Sequence, residues 1–189
     1  MSLPMALQDR PTKRFESDHY VEGYATTFET PYLLFEYDGI QFFEVIDRGA
    51  LEEADVSDVI FQYDHSGRVL ARLSNHTLGI EADEKGLLTY ANLSQSASAR
   101  NLYEEIENGL VTRMSWAFSV REESYDKESR TRRIRKIKKV YDVSAVSFPA
   151  NPDTEISARS FAQGRLELEQ REAQNARNIA LLKLKLQLH

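Results

Sequence analysis

Arg113-Met114-Ser115-Trp116-Ala117-Phe118-Ser119-Val120 alternates without a break between small or polar side chains and bulky apolar ones. Successive side chains of a strand point to opposite faces, so this period of two predicts a strand. Met114, Trp116, Phe118 and Val120 then share a core face, and Arg113, Ser115, Ala117 and Ser119 share the other. Working outward, short runs rich in Val, Tyr, Phe, Thr and Ile are separated by Gly, Asp, Ser and Asn. They predict further strands over 20–28, 40–46, 59–63, 69–73, 77–82, 87–93, 132–141 and 143–148, with 111–121 as the strand just quoted. Two segments read as helical: a short one over 49–54, and a clearer one over 94–109 with a polar start, Leu102 and Ile106 four apart, and a closing Gly109. Many strands with one or two inserted helices describe a β-rich α+β fold. A closed or nearly closed barrel fits, and a sandwich fits the same pattern.

The chain has 189 residues, 41% of them hydrophobic, with nine Phe and nine Tyr, enough for one domain with a substantial core. Its net charge of −6 opposes broad nucleic-acid binding, which needs a surplus of Lys and Arg on one face. A peptide or protein partner fits better. With no Cys, disulfides, thiolate nucleophiles and cysteine zinc sites are excluded. No run of about 18 apolar residues and no signal-peptide pattern occurs, which predicts a soluble intracellular protein away from membranes. Residues 1–17 read as an N-terminal tail whose opening Met-Ser-Leu-Pro, before Met5, looks like an expression scar. The folded domain is placed at 18–157. Residues 158–189, rich in Glu, Gln, Arg, Ala and Leu, predict a C-terminal helical or partly disordered tail, with an oligomerising or scaffold-binding arm as the sharper reading.

Ser115 stands on a predicted strand with small neighbours and Arg113 two residues away, a position from which a hydroxyl can act as a nucleophile. The plain alternative is a solvated strand face. A serine needs a base, and four histidines are available. His19 lies near the N-terminal tail, His189 ends the chain, and His76 reads as part of a turn. His65, in Asp64-His65-Ser66-Gly67 directly after a strand, sits where scaffold ends gather sites, although a polar loop residue would look the same. Asp142, in an otherwise apolar run from Val140 to Phe148, is the candidate to orient the imidazole, since an unpaired carboxylate there would be costly to bury. A solvated Asp in a turn between two strands is the alternative. Asp64 is a weaker competitor, because adjacent side chains on extended chain point apart.

Taken in order, Asp64-His65-Ser66-Gly67, Arg113-Met114-Ser115-Trp116-Ala117-Phe118 and Asp142-Val143-Ser144-Ala145-Val146-Ser147-Phe148-Pro149-Ala150-Asn151-Pro152 resemble the signature of phage prohead proteases. Ala82-Asp83-Glu84-Lys85-Gly86-Leu87 resembles the family's acidic-Gly-Leu hairpin, and Glu107-Asn108-Gly109-Leu110 its helix end before the serine strand. The resemblance covers about residues 18–157 and departs at Trp116, where many members have Gly; the indole must pack inward for Ser115 to stay open. The family is similar in turn to herpesvirus assemblins, which implies an assemblin-like β-barrel with peripheral helices.

The resemblance implies a serine endopeptidase that cleaves the scaffold domain or scaffolding protein of a capsid precursor, and itself, inside the assembling prohead in the host cytoplasm. Ser115 would be nucleophile, His65 base and Asp142 its support, with Arg113 and Ser144 as oxyanion or substrate candidates and no metal or organic cofactor. The major capsid protein's scaffold segment or a scaffolding protein is the implied partner, and a homo-oligomer is compatible. Two other classes stay open: an inactive relic serving as a capsid assembly scaffold, and a β-barrel binding module. The basic run from Arg130 to Lys139 reads as a solvated hairpin edge, or as a docking strip for an acidic scaffold.

Overall fold

A computed structural model of the chain describes residues 3–6 and 15–147, together with 171, 173, 174, 176 and 177. Ten strands and one helix follow in order: β1 (Leu3–Ala6), β2 (Tyr20–Thr27), β3 (Tyr32–Tyr37), β4 (Ile40–Ile46), β5 (Ile60–Tyr63), β6 (Ser66–Arg72), β7 (Leu78–Ala82), β8 (Gly86–Asn92), α1 (Ala97–Glu107), β9 (Arg113–Asp126) and β10 (Thr131–Val146). The β-rich expectation holds. The helix expected over 49–54 is instead a series of tight turns, each closed by a bond from an N–H to the carbonyl three residues back. Helix α1 starts where Ser96 Oγ accepts the Ala99 N–H at 3.1 Å, buries Ala99, Leu102 and Ile106, and is followed by Gly109 at φ +72°.

Strands β9 and β10 form the antiparallel spine. On its far side β10 takes two parallel partners in succession, β4 along Thr131–Ile134 and β5 along Asp142–Ala145. The sheet therefore forks, one branch continuing to β3 and the other to β6, while β9 leads through β1, β2 and β8 to β7. The expected closed barrel is not formed: β6 and β7, consecutive in sequence, are joined through a 3-10 turn at Leu73–Asn75 and make no ladder with each other. Strand β1 lies inside the stretch set aside as a tail, pairing β9 at Arg113 and Met114 and β2 at Glu22 and Gly23. Of the predicted C-terminal helical tail, residues 171, 173, 174, 176 and 177 are helical and exposed, and the rest lies outside the described residues. Among the described residues no helix is long and apolar enough to cross a membrane.

The main core cluster is built on the inner face of the spine, where Met114, Val143, Ala145, Phe61, Ile134, Ile137 and Val140 are fully buried, and a smaller one joins Phe35 and Phe42. Complete burial of side chains of this size contributes about 1.5–3 kcal/mol each. Trp116, 8% exposed, packs inward with its ring 4.3 Å from that of Phe118, which leaves the opposite face clear of the indole.

The basic run is no edge. It begins β10, with β9 on one side and β4 on the other along Thr131–Ile134, and five of its seven cations meet carboxylates: Lys136 with Glu53, Lys139 with Asp55, Arg133 with Glu29 and Asp47, Arg135 with Glu122, and Arg132 with Glu123. These pairs take up most of the strip's charge, leaving Arg130 and Lys138 without a carboxylate partner among the described residues. One pair is deeper. Glu44, 3% exposed, accepts the Tyr32 hydroxyl on one oxygen and Arg132 Nη1 at 3.0 Å on the other. Burial raises the Glu44 pKa, and the guanidinium is the largest influence opposing that rise. Arg132→Ala leaves a buried carboxylate without its cation and is expected to cost about 3–5 kcal/mol at neutral pH. Because the raised pKa favours the protonated form, the deficit should shrink as pH falls toward the carboxyl range, which urea unfolding at pH 7 and pH 5 would measure.

Candidate active site

The buried apolar residues of β10 fall three apart at Ile134, Ile137, Val140 and Val143 rather than two, and burial is continuous from Asp142 to Val146. A flat strand would send alternate members of that series to the wrong face. Register shifts against β9 absorb the difference, the last of them between Val140 and Asp142, where Tyr141 is the extra residue. Without it, Asp142 would share the face of Val140, in the core. With it, Asp142 pairs opposite Ala117 and lies on the outer face with Ser144, while Val143 returns to the core opposite Trp116. Asp142 is thus neither an exposed turn residue nor a break between two strands. Its residue exposure is 7%, inside one continuous strand.

His65 arrives from β5, the parallel neighbour of β10. Tyr63 pairs with Ser66, so Asp64 and His65 alone form the loop of the β5–β6 hairpin, and both have positive φ, 47° and 53°, as a type I′ turn requires. Asp and His are among the residues that tolerate this region. The turn brings His65 Nδ1 to 2.6 Å from Asp142 Oδ1, with both side chains at or below 10% exposure. Asp142 Oδ1 also accepts the Ser144 hydroxyl at 2.7 Å. At the other ring nitrogen, His65 Nε2 is buried and has no hydrogen-bond partner among the described residues. A ring whose Nδ1 carries the proton toward a carboxylate presents Nε2 as a lone-pair acceptor, so the arrangement can supply a base.

Ser115 lies directly opposite Ser144 in the β9–β10 ladder, on the same outer face, and is half-buried. Paired residues of antiparallel strands have Cα atoms about 4.5–5.5 Å apart, so Ser115 stands one strand away from the residue that bonds Asp142. No hydrogen bond joins Ser115 to His65 among the described residues. Unliganded sites commonly close that contact only when substrate arrives. Arg113, exposed, shares the face of Ser115 two residues away. Of the other histidines, His19 packs edge-on to Tyr103, His76 caps the 3-10 turn after β6 with φ +62°, and His189 lies outside the described residues.

Asp64 does not compete with Asp142 for the imidazole. Its carboxylate accepts the Ser147 N–H at 2.9 Å, and its own N–H donates to the Ala145 carbonyl at 2.9 Å, so it ties the turn to the end of β10. Tyr63 hydrogen-bonds Ser147 Oγ at the same place. Sequence reading found Asp64 but not this use, nor Tyr63 and Ser147. The available signal was an Asp-His pair between two extended runs, a two-residue loop that must anchor itself.

The family model for the caudovirus prohead serine proteases matches residues 8–167 of this chain. No curated protein and no solved structure matches it. The match spans most of the 189 residues and includes β5, β9 and β10, the strands that lead to His65 and carry Ser115 and Asp142. A serine protease acting in the maturation of a phage capsid needs a serine on a rigid element and a base held ready for it, and by that match the chain belongs to the caudovirus prohead serine proteases.

Proposed function

We propose that the chain is a Ser-His-Asp endopeptidase that cuts the scaffold segment of the major capsid protein or a separate scaffolding protein, and its own chain, inside the prohead. The observation that carries this reading is the imidazole of His65, fixed through Nδ1 to buried Asp142 with a buried and unpartnered Nε2. As substrate closes the site, Ser115 Oγ attacks the scissile carbonyl carbon and its proton passes to His65 Nε2. Asp142 stabilises the resulting imidazolium without taking the proton. The tetrahedral intermediate collapses when Nε2 returns that proton to the leaving amine. Water, deprotonated by the same nitrogen, then attacks the acyl-Ser115 carbonyl carbon; the acyl–Oγ bond breaks, Nε2 returns the proton to Ser115 Oγ, and the carboxylic product leaves. Oxyanion stabilisation falls to Arg113 or to backbone N–H groups of the segment that starts at Val143.

Ser144 supports the carboxylate in this reading rather than the oxyanion, because its hydroxyl is committed to Asp142. A hydrogen bond to a charged group is worth about 1.5–3 kcal/mol, so Ser144→Ala is expected to lower kcat about 10- to 100-fold with KM little changed, measured by initial rates. The catalytic domain is assigned to 18–157, with 158–189 as a tail open to self-cleavage. The direct test incubates the chain with assembled capsid precursor and follows intact masses over several days. Discrete precursor fragments and a shortened protease are the expected products. Intact precursor in every arm would instead favour an inert scaffold.

A further inference from the structure

We propose that Asp64 is the positioning residue of the site, holding His65 over Asp142 by clamping the β5–β6 turn to Ser147. The inference rests on the reading of His65 as the base. Two consecutive non-glycine residues at positive φ, Asp64 and His65, are held in a conformation that costs up to about 1–3 kcal/mol each, least for types such as Asp and His, and that persists where the surroundings fix it. A turn under that strain tends to relax, and relaxation would carry the imidazole away from β10. Three ties oppose it at one point: the Asp64 N–H on the Ala145 carbonyl at 2.9 Å, the Asp64 carboxylate on the Ser147 N–H at 2.9 Å and on Ser147 Oγ at 3.3 Å, and the Tyr63 hydroxyl on the same Oγ. The first two come from Asp64 itself. They attach the residue immediately before His65 to the strand that carries Asp142, three and five residues beyond that carboxylate. The turn and the carboxylate are thereby parts of one hydrogen-bonded unit, and the 2.6 Å contact of His65 with Asp142 is set by it.

Asp64→Ala removes the carboxylate tie and the residue's tolerance of positive φ. Asp64→Asn keeps both a carbonyl acceptor for the Ser147 N–H and that tolerance. Ser147→Pro removes the N–H and the Oγ from the other side and leaves Asp64 in place. Two readouts are taken on full-length protein: the His65 ring-nitrogen tautomer and its downfield Nδ1–H signal by NMR, which need no turnover, and kcat against KM on precursor cleavage. Asp64→Ala and Ser147→Pro should each lose the single Nδ1–H tautomer and lower kcat about 100-fold at nearly constant KM, the usual effect of about 1 Å of misplacement. The double variant should be no worse than either single one, and Asp64→Asn should restore both readouts. An unchanged Nδ1–H signal and kcat in Asp64→Ala, or fully additive losses in the double variant, would overturn the proposal. A tautomer that responds to Asp64 in a protein that cleaves nothing would uphold the clamp and instead refute the peptidase reading.

Discussion

Ser115→Ala is expected to abolish precursor cleavage, a fall in kcat of about 10⁶-fold toward whatever binding alone supplies. The change deletes one hydroxyl from a half-buried position on the outer face of β9, while the inner face keeps Met114 and Trp116 in the core. No hydrogen bond of the fold is lost with it among those described, so unfolding free energy should move by no more than about 0.5 kcal/mol. Cleavage rate and thermal melting measured on the same preparation separate the two effects. A melting change without a rate change would mean that Ser115 is an ordinary strand residue.

Asp142→Asn should be nearly as damaging, lowering kcat about 10⁴-fold, although the side chains have the same shape. The physical reason lies in the proton. The carboxylate accepts from His65 Nδ1 at 2.6 Å and from Ser144 Oγ at 2.7 Å on one oxygen, so both donors need an acceptor there. A carboxamide can turn its NH₂ toward the ring, which places the imidazole proton on Nε2 and removes the base. Even with its oxygen on Nδ1, it carries no charge to stabilise the imidazolium. Asp142→Ala adds a structural penalty, since His65 Nδ1 and the buried Ser144 hydroxyl lose their acceptor, about 1–3 kcal/mol for a donor left unsatisfied. Comparing Asn with Ala by denaturant unfolding and by rate distinguishes the electrostatic from the structural contribution.

The part of this architecture legible in the sequence is the part where side-chain periodicity is undisturbed. Strand β9 alternates strictly through Met114, Ser115 and Trp116, so the open face of Ser115 and the inward packing of Trp116 followed from spacing alone. Strand β10 does not alternate. From Ile134 to Val143 its core residues fall three apart because bulges reset its phase, and a bulge is fixed by pairing with β9, which the local sequence does not contain. Asp142 was therefore singled out by its chemistry while its place in one unbroken strand was hidden. The β3–β4 hairpin is absent from the expected strands for a different reason: Asp38 and Gly39, at φ 50° and 75°, are a hairpin turn signal between two apolar runs, and the first of these runs lacks the alternation that marks a strand in the second. The forked sheet and the open seam between β6 and β7 depend on which distant strands β10 accepts, so no local pattern could supply them.

The most direct measurement is covalent labelling of the full chain with a fluorophosphonate, located by peptide mass spectrometry in the wild type and in His65→Ala. One adduct per chain on Ser115, formed at least about 10³-fold more slowly when His65 is absent, is the result predicted by a base held at Nε2. An adduct on another serine, such as Ser144, or labelling of Ser115 at the same rate without His65, would contradict the assignment of nucleophile and base.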